Sequence, residues 1–139
     1  MEKIISKINS GKELTEAEQL MMLAHKEAAD LLRIYVNSHR LTPFVEADML
    51  SMPNAPKLLE IYAEKYPLHP RAESVLVRPE HAYELAEIYI KKGHKFWDKA
   101  ELEFLKLPYN KPLAELYIEQ NQNILSDAAL DLIEEHYYN

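Results

Sequence analysis

The chain has 139 residues, a formal net charge of −7, two glycines and no cysteine. That length suits one domain, the missing cysteines exclude disulfides and thiol chemistry, and two glycines exclude glycine-rich phosphate loops and argue against sandwiches and barrels. The acidic balance argues against general nucleic-acid binding, which needs a basic footprint.

Taken in chain order, the elements read as short helices. Charged residues interrupt the apolar ones from the start, so no signal-peptide core is expected. No apolar run approaches membrane-spanning length, and the expected address is cytoplasmic. Ile4, Ile5 and Ile8 set the face of a first helix. Thr15 with Glu18 reads as a capping box opening a second. No proline separates Glu16 from Val36, which predicts one long helix there or two nearly continuous ones. Pro43, Pro56, Pro70 and Pro112 stand at expected first turns, where a missing N–H costs nothing. Pro53, Pro79 and Pro108 are expected to end helices, and Ser126 to cap the last one. Within one such segment, Leu58, Ile61, Tyr62 and Lys65 fall at i, i+3, i+4 and i+7, one helical face.

A longer period overlies these helices. Tyr35, Tyr62, Tyr89 and Tyr117 each close an apolar run of the type Leu58-Leu59-Glu60-Ile61-Tyr62, about 27 or 28 residues apart, a spacing typical of repeat architectures. Each run is followed by an apolar turn residue, read as Leu41, Leu68, Phe96 and Ile124. A small or acidic pair then opens a second segment: Val45-Glu46, Ala72-Glu73, Ala100-Glu101 and Ala128-Ala129. The tyrosines are expected to place their rings in the core and their hydroxyls at its rim. The recurring glutamates are explained by the helix dipole, which favours a negative charge near a helix start.

Candidate contact residues lie outside this framework. Lys91, Lys92, His94, Lys95 and Lys99 cluster around Phe96 and Trp97, a basic and aromatic combination able to hold an anionic or peptide partner. His39, Tyr66 and His94 fall at equivalent turn positions and could form a contact ridge. All Lys and Arg residues lie at or before Lys111, so Glu115, Glu119, Asp127 and Asp131 belong to a purely acidic final stretch, a candidate surface for a basic partner. The six histidines show no zinc-binding spacing, and no catalytic motif is present, so no metal, cofactor or catalytic residue is expected.

The L-L-E-I-Y run with its apolar turn, A-E pair and closing L-P resembles short α-helical repeats found in bacterial and phage proteins. In architecture it is similar to the tetratricopeptide and HEAT superfamilies, though it lacks the tetratricopeptide W-x-x-L-G signature. The resemblance implies an all-α, right-handed α-solenoid of about five helical-hairpin repeats, approximately 1–30, 31–57, 58–84, 85–112 and 113–139, in a single domain. It implies a non-catalytic module that binds a protein or peptide partner. A monomer or weak homodimer is expected from the residues at the ends: Ile4 and Ile5 or Tyr137 and Tyr138 could stack two molecules, and the simpler reading packs each end on its own neighbouring helix. The alternative is an acidic decoy that mimics nucleic acid and occupies a basic protein. An enzyme acting on nucleic acid or nucleotide is the weakest of the three readings.

Overall fold

The computed structural model describes residues 1–78, 84–106 and 111–136, the last without its side chain. Pro79, His81, Pro108, Tyr137 and Tyr138 lie outside the described residues. Within them the chain is all-α, with ten helices and no strand: α1 (Glu2–Asn9), α2 (Glu16–Ala24), α3 (Ala28–Tyr35), α4 (Pro43–Met49), α5 (Ala55–Ala63), α6 (Pro70–Leu76), α7 (Glu84–Lys91), α8 (Asp98–Leu105), α9 (Lys111–Gln120) and α10 (Asp127–His136). No described helix is long and apolar enough to cross a membrane.

Local chemistry sets the boundaries. Thr15 and Glu18 form the reciprocal capping box at α2. The Thr42 and Ser126 hydroxyls accept from Val45 and Ala129 N–H, opening α4 and α10. His69 takes the same place at α6, its Nδ1 accepting from Arg71 N–H. Pro43, Pro56 and Pro70 occupy first turns. The stretch between Glu16 and Val36 resolves into two helices. At the break, His25 Nδ1 accepts from Glu27 N–H at 3.0 Å, so a side chain ends α2 where no proline does.

Helices of seven to ten residues are marginal alone and must be held by neighbours. The packing joins helices two apart in the chain. One row contains α1, α3, α5 and α7, the other α2, α4, α6, α8 and α10, with α2 also against α3 and α4 against α5. Between the rows lies one continuous core of Leu, Ile, Val and Ala, in which Tyr35, Tyr62, Tyr89, Tyr117, Phe96 and Phe104 are the largest buried side chains. The four tyrosines are at most 2 % exposed, hydroxyl included, which places those hydroxyls in the core and not at its rim.

A burial this deep requires polar partners, and the sequence supplies them in register. The hydroxyls of Tyr35, Tyr62, Tyr89 and Tyr117 accept from the backbone N–H of Leu14, Leu41, Leu68 and Phe96, always 21 residues earlier, at 2.9–3.1 Å. Tyr62, Tyr89 and Tyr117 donate to Glu46, Glu73 and Glu101, always 16 residues earlier. The other carboxylate oxygen of each glutamate accepts the N–H of His69, Trp97 or Ser126, the residues preceding α6, α8 and α10. In the first copy of the pattern Gln19 takes the glutamate's place, its Oε1 accepting from Thr42 N–H and its Nε2 donating to Leu14 O. These glutamates stand in the first turns of α4, α6 and α8, where the helix dipole favours a negative charge, but they are fully buried and also hold hydroxyls and backbone amides, which the dipole account left out.

The last turn corrects the sequence register. Ser126 stands where Thr42, His69 and Trp97 stand, directly before an even-numbered helix, so Leu125, partly buried, occupies the turn position assigned to Ile124. Ile124 is 60 % exposed. The pair matching Val45-Glu46 is likewise Ala129-Leu130, one residue later than read. Compared with the turns after Tyr35 and Tyr62, the turn after Tyr89 is one residue longer and the turn after Tyr117 two residues longer. One of those longer turns contains Gly93, whose φ of +89° only glycine adopts without strain.

Candidate binding grooves

The buried Tyr/Glu network is the chemically richest part of the molecule, and it is closed to ligands. Its three glutamates nevertheless differ. Arg40 donates to Glu46 at 3.0 Å, and Lys95 donates to Glu101 at 3.1 Å. Both cations lie six residues before their glutamate. The same position before Glu73 is Pro67, and no ion pair reaches Glu73 among the described residues. Burial therefore raises the Glu73 pKa to about 7, against the opposing pull of Trp97 N–H and the Tyr89 hydroxyl. Burial and the adjacent carboxylates raise the pKa values of Tyr62 and Tyr89, so both phenols stay neutral donors.

The residues singled out from sequence fall into three groups. His39, Tyr66 and His94 are brought to one edge, but each reaches back into the preceding segment. His39 Nε2 lies 2.9 Å from Gly11 O, the Tyr66 hydroxyl donates to Val36 O at 2.9 Å, and His94 Nε2 lies 2.5 Å from Ala63 O. His39 also packs on the Tyr35 ring, and His94 stacks on Tyr89 with centroids 4.7 Å apart. The lysine cluster is distributed among carboxylates: Lys91 pairs with Glu87, Lys92 with Glu64 at the C-terminal end of α5, and Lys95 with buried Glu101. Lys92 holds the Glu64 carboxyl below the usual range, first through their hydrogen bond. Trp97 is 56 % exposed, its backbone committed to Glu73 and its indole N–H 3.4 Å from Leu68 O. Glu115 and Glu119 are exposed on α9, and Asp127 and Asp131 on α10.

Two open grooves lie on the surface between helices of the same row. Between α3 and α5, Val36 and Ile61 floor a volume of about 440 Å³ flanked by Arg33, Lys57, Glu60 and Glu64. Its charges are mixed and partly engaged, Arg33 by Asp30 and Glu64 by Lys92.

Between α4 and α6 lies a volume of about 390 Å³. Phe44, Ala47, Asp48 and Ser51 form its α4 wall, and Arg71, Ser74, Val75 and Arg78 the opposite wall. Phe44 is 44 % exposed. Neither Arg71 nor Arg78 enters an ion pair among the described residues, leaving Asp48 as the groove's one acid facing two guanidinium groups. The neighbouring helix continues the basic character. Lys99 on α8 and Lys106 just past it correspond to Arg71 on α6 and Arg78 just past it, counted from Trp97 and His69, and they too are exposed without an ion pair among the described residues.

Of this band the sequence reading singled out only Lys99, because its members are scattered between 44 and 106 and become neighbours only through the packing of α4 on α6 and α6 on α8. The available signal was the recurrence of a cation two and nine residues after His69 and Trp97. No cluster of three or more metal-binding side chains occurs among the described residues. No family model, curated protein or solved structure matches the chain.

Proposed function

We propose that the chain is a right-handed α-solenoid of five helical-hairpin repeats that binds a protein or peptide partner, without catalysis, along the outer face of its even-numbered helices. The observation that carries this reading is the α4/α6 groove, where Arg71 and Arg78 stand without ion-pair partners among the described residues, beside exposed Phe44. Unpaired guanidinium groups beside an exposed aromatic suit an anionic, partly apolar segment. The buried polar groups support the same reading: Tyr62, Tyr89 and Tyr117 and their glutamates are spent on backbone amides and on one another. Trp97, exposed at the start of α8, is a second contact point on that face.

The test is capture from native lysate with the purified chain as bait, beside the Arg71→Glu, Arg78→Glu variant, at low and at high salt. The expected result is a partner retained by the native chain and lost by the variant at both salts. A partner retained equally by both would remove the groove from the function.

A further inference from the structure

The α4/α6 groove has a complement on the surface of the same chain. On α10, Asp127, Leu130, Asp131 and Glu134 fall at i, i+3, i+4 and i+7, one helical face. That face is opposite Ala129 and Ile133, which are buried where α10 packs on α8. Leu130 is 46 % exposed, and none of the three carboxylates has an ion-pair partner among the described residues. It is an acidic face with an apolar centre, and the groove is a basic wall with an apolar floor of Ala47 and Val75 beside Phe44.

The spacings agree as well as the signs. Asp127 and Glu134 are seven residues apart on a helix, roughly 10 Å along its axis. Arg71 and Arg78 are also seven apart, the second carried just past α6 by a hydrogen bond from its N–H to Val75 O. A chain cannot dock its own α10 in its own groove, because α8 stands between α10 and α6.

We propose that the groove takes α10 of a second copy, with Asp127 and Glu134 against Arg71 and Arg78 and Leu130 against Phe44 and Val75. It rests on the groove being a binding surface, but its occupant is the chain itself. The contact joins two different faces, so a dimer keeps one groove and one α10 unfilled, and growth continues as an open chain unless it closes into a ring. Asp48 on the α4 wall opposes the incoming carboxylates and favours a weak, reversible association. The charge pairs make the association sensitive to salt.

Sedimentation of the purified chain tests this without any other partner. The wild type is expected to gain mass as concentration rises, and to lose about tenfold in affinity between roughly 0.05 M and 0.5 M salt. Two variants should each stay monomeric with unchanged helicity: Arg71→Glu with Arg78→Glu, and Asp127→Asn with Leu130→Ser and Glu134→Gln. Mixed together, they should form a one-to-one dimer, since one retains a native α10 and the other a native groove. A wild type that stays monomeric up to about 1 mM at low salt overturns the proposal. So does assembly that survives either variant, or a mixture that does not dimerise. Failure to capture a foreign partner from lysate leaves this result standing, so the two readings fail separately.

Discussion

Replacing Glu73 by Gln should stabilise the protein above neutral pH, although it alters a fully buried, hydrogen-bonded side chain. The carboxyl pKa is about 7 in the folded state, against an ordinary value of 4.5. The folded protein therefore holds a proton on Glu73 that the unfolded chain has released. Wild-type stability accordingly falls as pH rises from about 4.5 to about 7 and is level beyond. At about 1.4 kcal/mol per unit, ionised Glu73 costs roughly 3 kcal/mol at pH 8. Glutamine removes that charge and has a precedent in the same molecule. Gln19 accepts from Thr42 N–H and donates to Leu14 O, and a glutamine at 73 has Trp97 N–H and Leu68 O in the corresponding places. The assay is urea denaturation of both proteins from pH 5 to pH 8. The stability of the variant minus that of the wild type should grow by about 2–3 kcal/mol across that range, the subtraction cancelling every other titrating group. A difference that stays constant within about 0.5 kcal/mol would refute the reasoning.

The same substitution should have the opposite sign where a cation is present: Glu46→Gln and Glu101→Gln each remove the carboxylate charge that pairs with Arg40 or Lys95 and should each cost about 1–2 kcal/mol at pH 8, measured by the same denaturation. Tyr62→Phe removes the acceptor of Leu41 N–H and the donor to Glu46 together, and should cost about 2 kcal/mol in urea, with a loss of less than about 0.5 kcal/mol arguing against the hydroxyl's role. Gly93→Ala should cost about 1 kcal/mol from backbone strain alone, read as a lower denaturation midpoint, since no atom lies within 4 Å of the added methyl. Trp97 is the one tryptophan, so its emission should be solvent-like and readily quenched, and Trp97→Ala should change stability by less than about 1 kcal/mol.

The all-α class was legible because its signals are local. Proline in first turns, the Thr15–Glu18 box and the i, i+3, i+4 spacing of the apolar residues each act within one helix. The tyrosine period pointed to the right side chains but gave the wrong surroundings for their hydroxyls. What it lacked was the pairing of Tyr62, Tyr89 and Tyr117 with a glutamate at a constant separation of 16 residues, although the turn between consecutive units varies in length. Apolar periodicity alone could not distinguish Ile124 from Leu125; Ser126, bonded to Glu101, decides it. Surface chemistry was least legible. Lys92 and Lys95 read as one cluster because they are adjacent in sequence, yet they pair with carboxylates on different helices. Arg71 and Arg78 attracted no attention, because nothing local marks a cation whose partner is absent.

The hydrogen-bond pattern also constrains how such a chain can change in size. Tyr62, Tyr89 and Tyr117 each satisfy a turn 21 residues back and a glutamate 16 residues back, and that glutamate secures the start of the next even-numbered helix. A duplicated or deleted stretch of 27 or so residues brings or removes a full set of donors and acceptors together and leaves every buried group satisfied. Half that length would orphan a tyrosine, a glutamate or an amide in the interior. Length is thereby quantised, and a face such as the basic band from α6 to α8 can be widened or narrowed by recombination in whole steps without the core having to be reinvented.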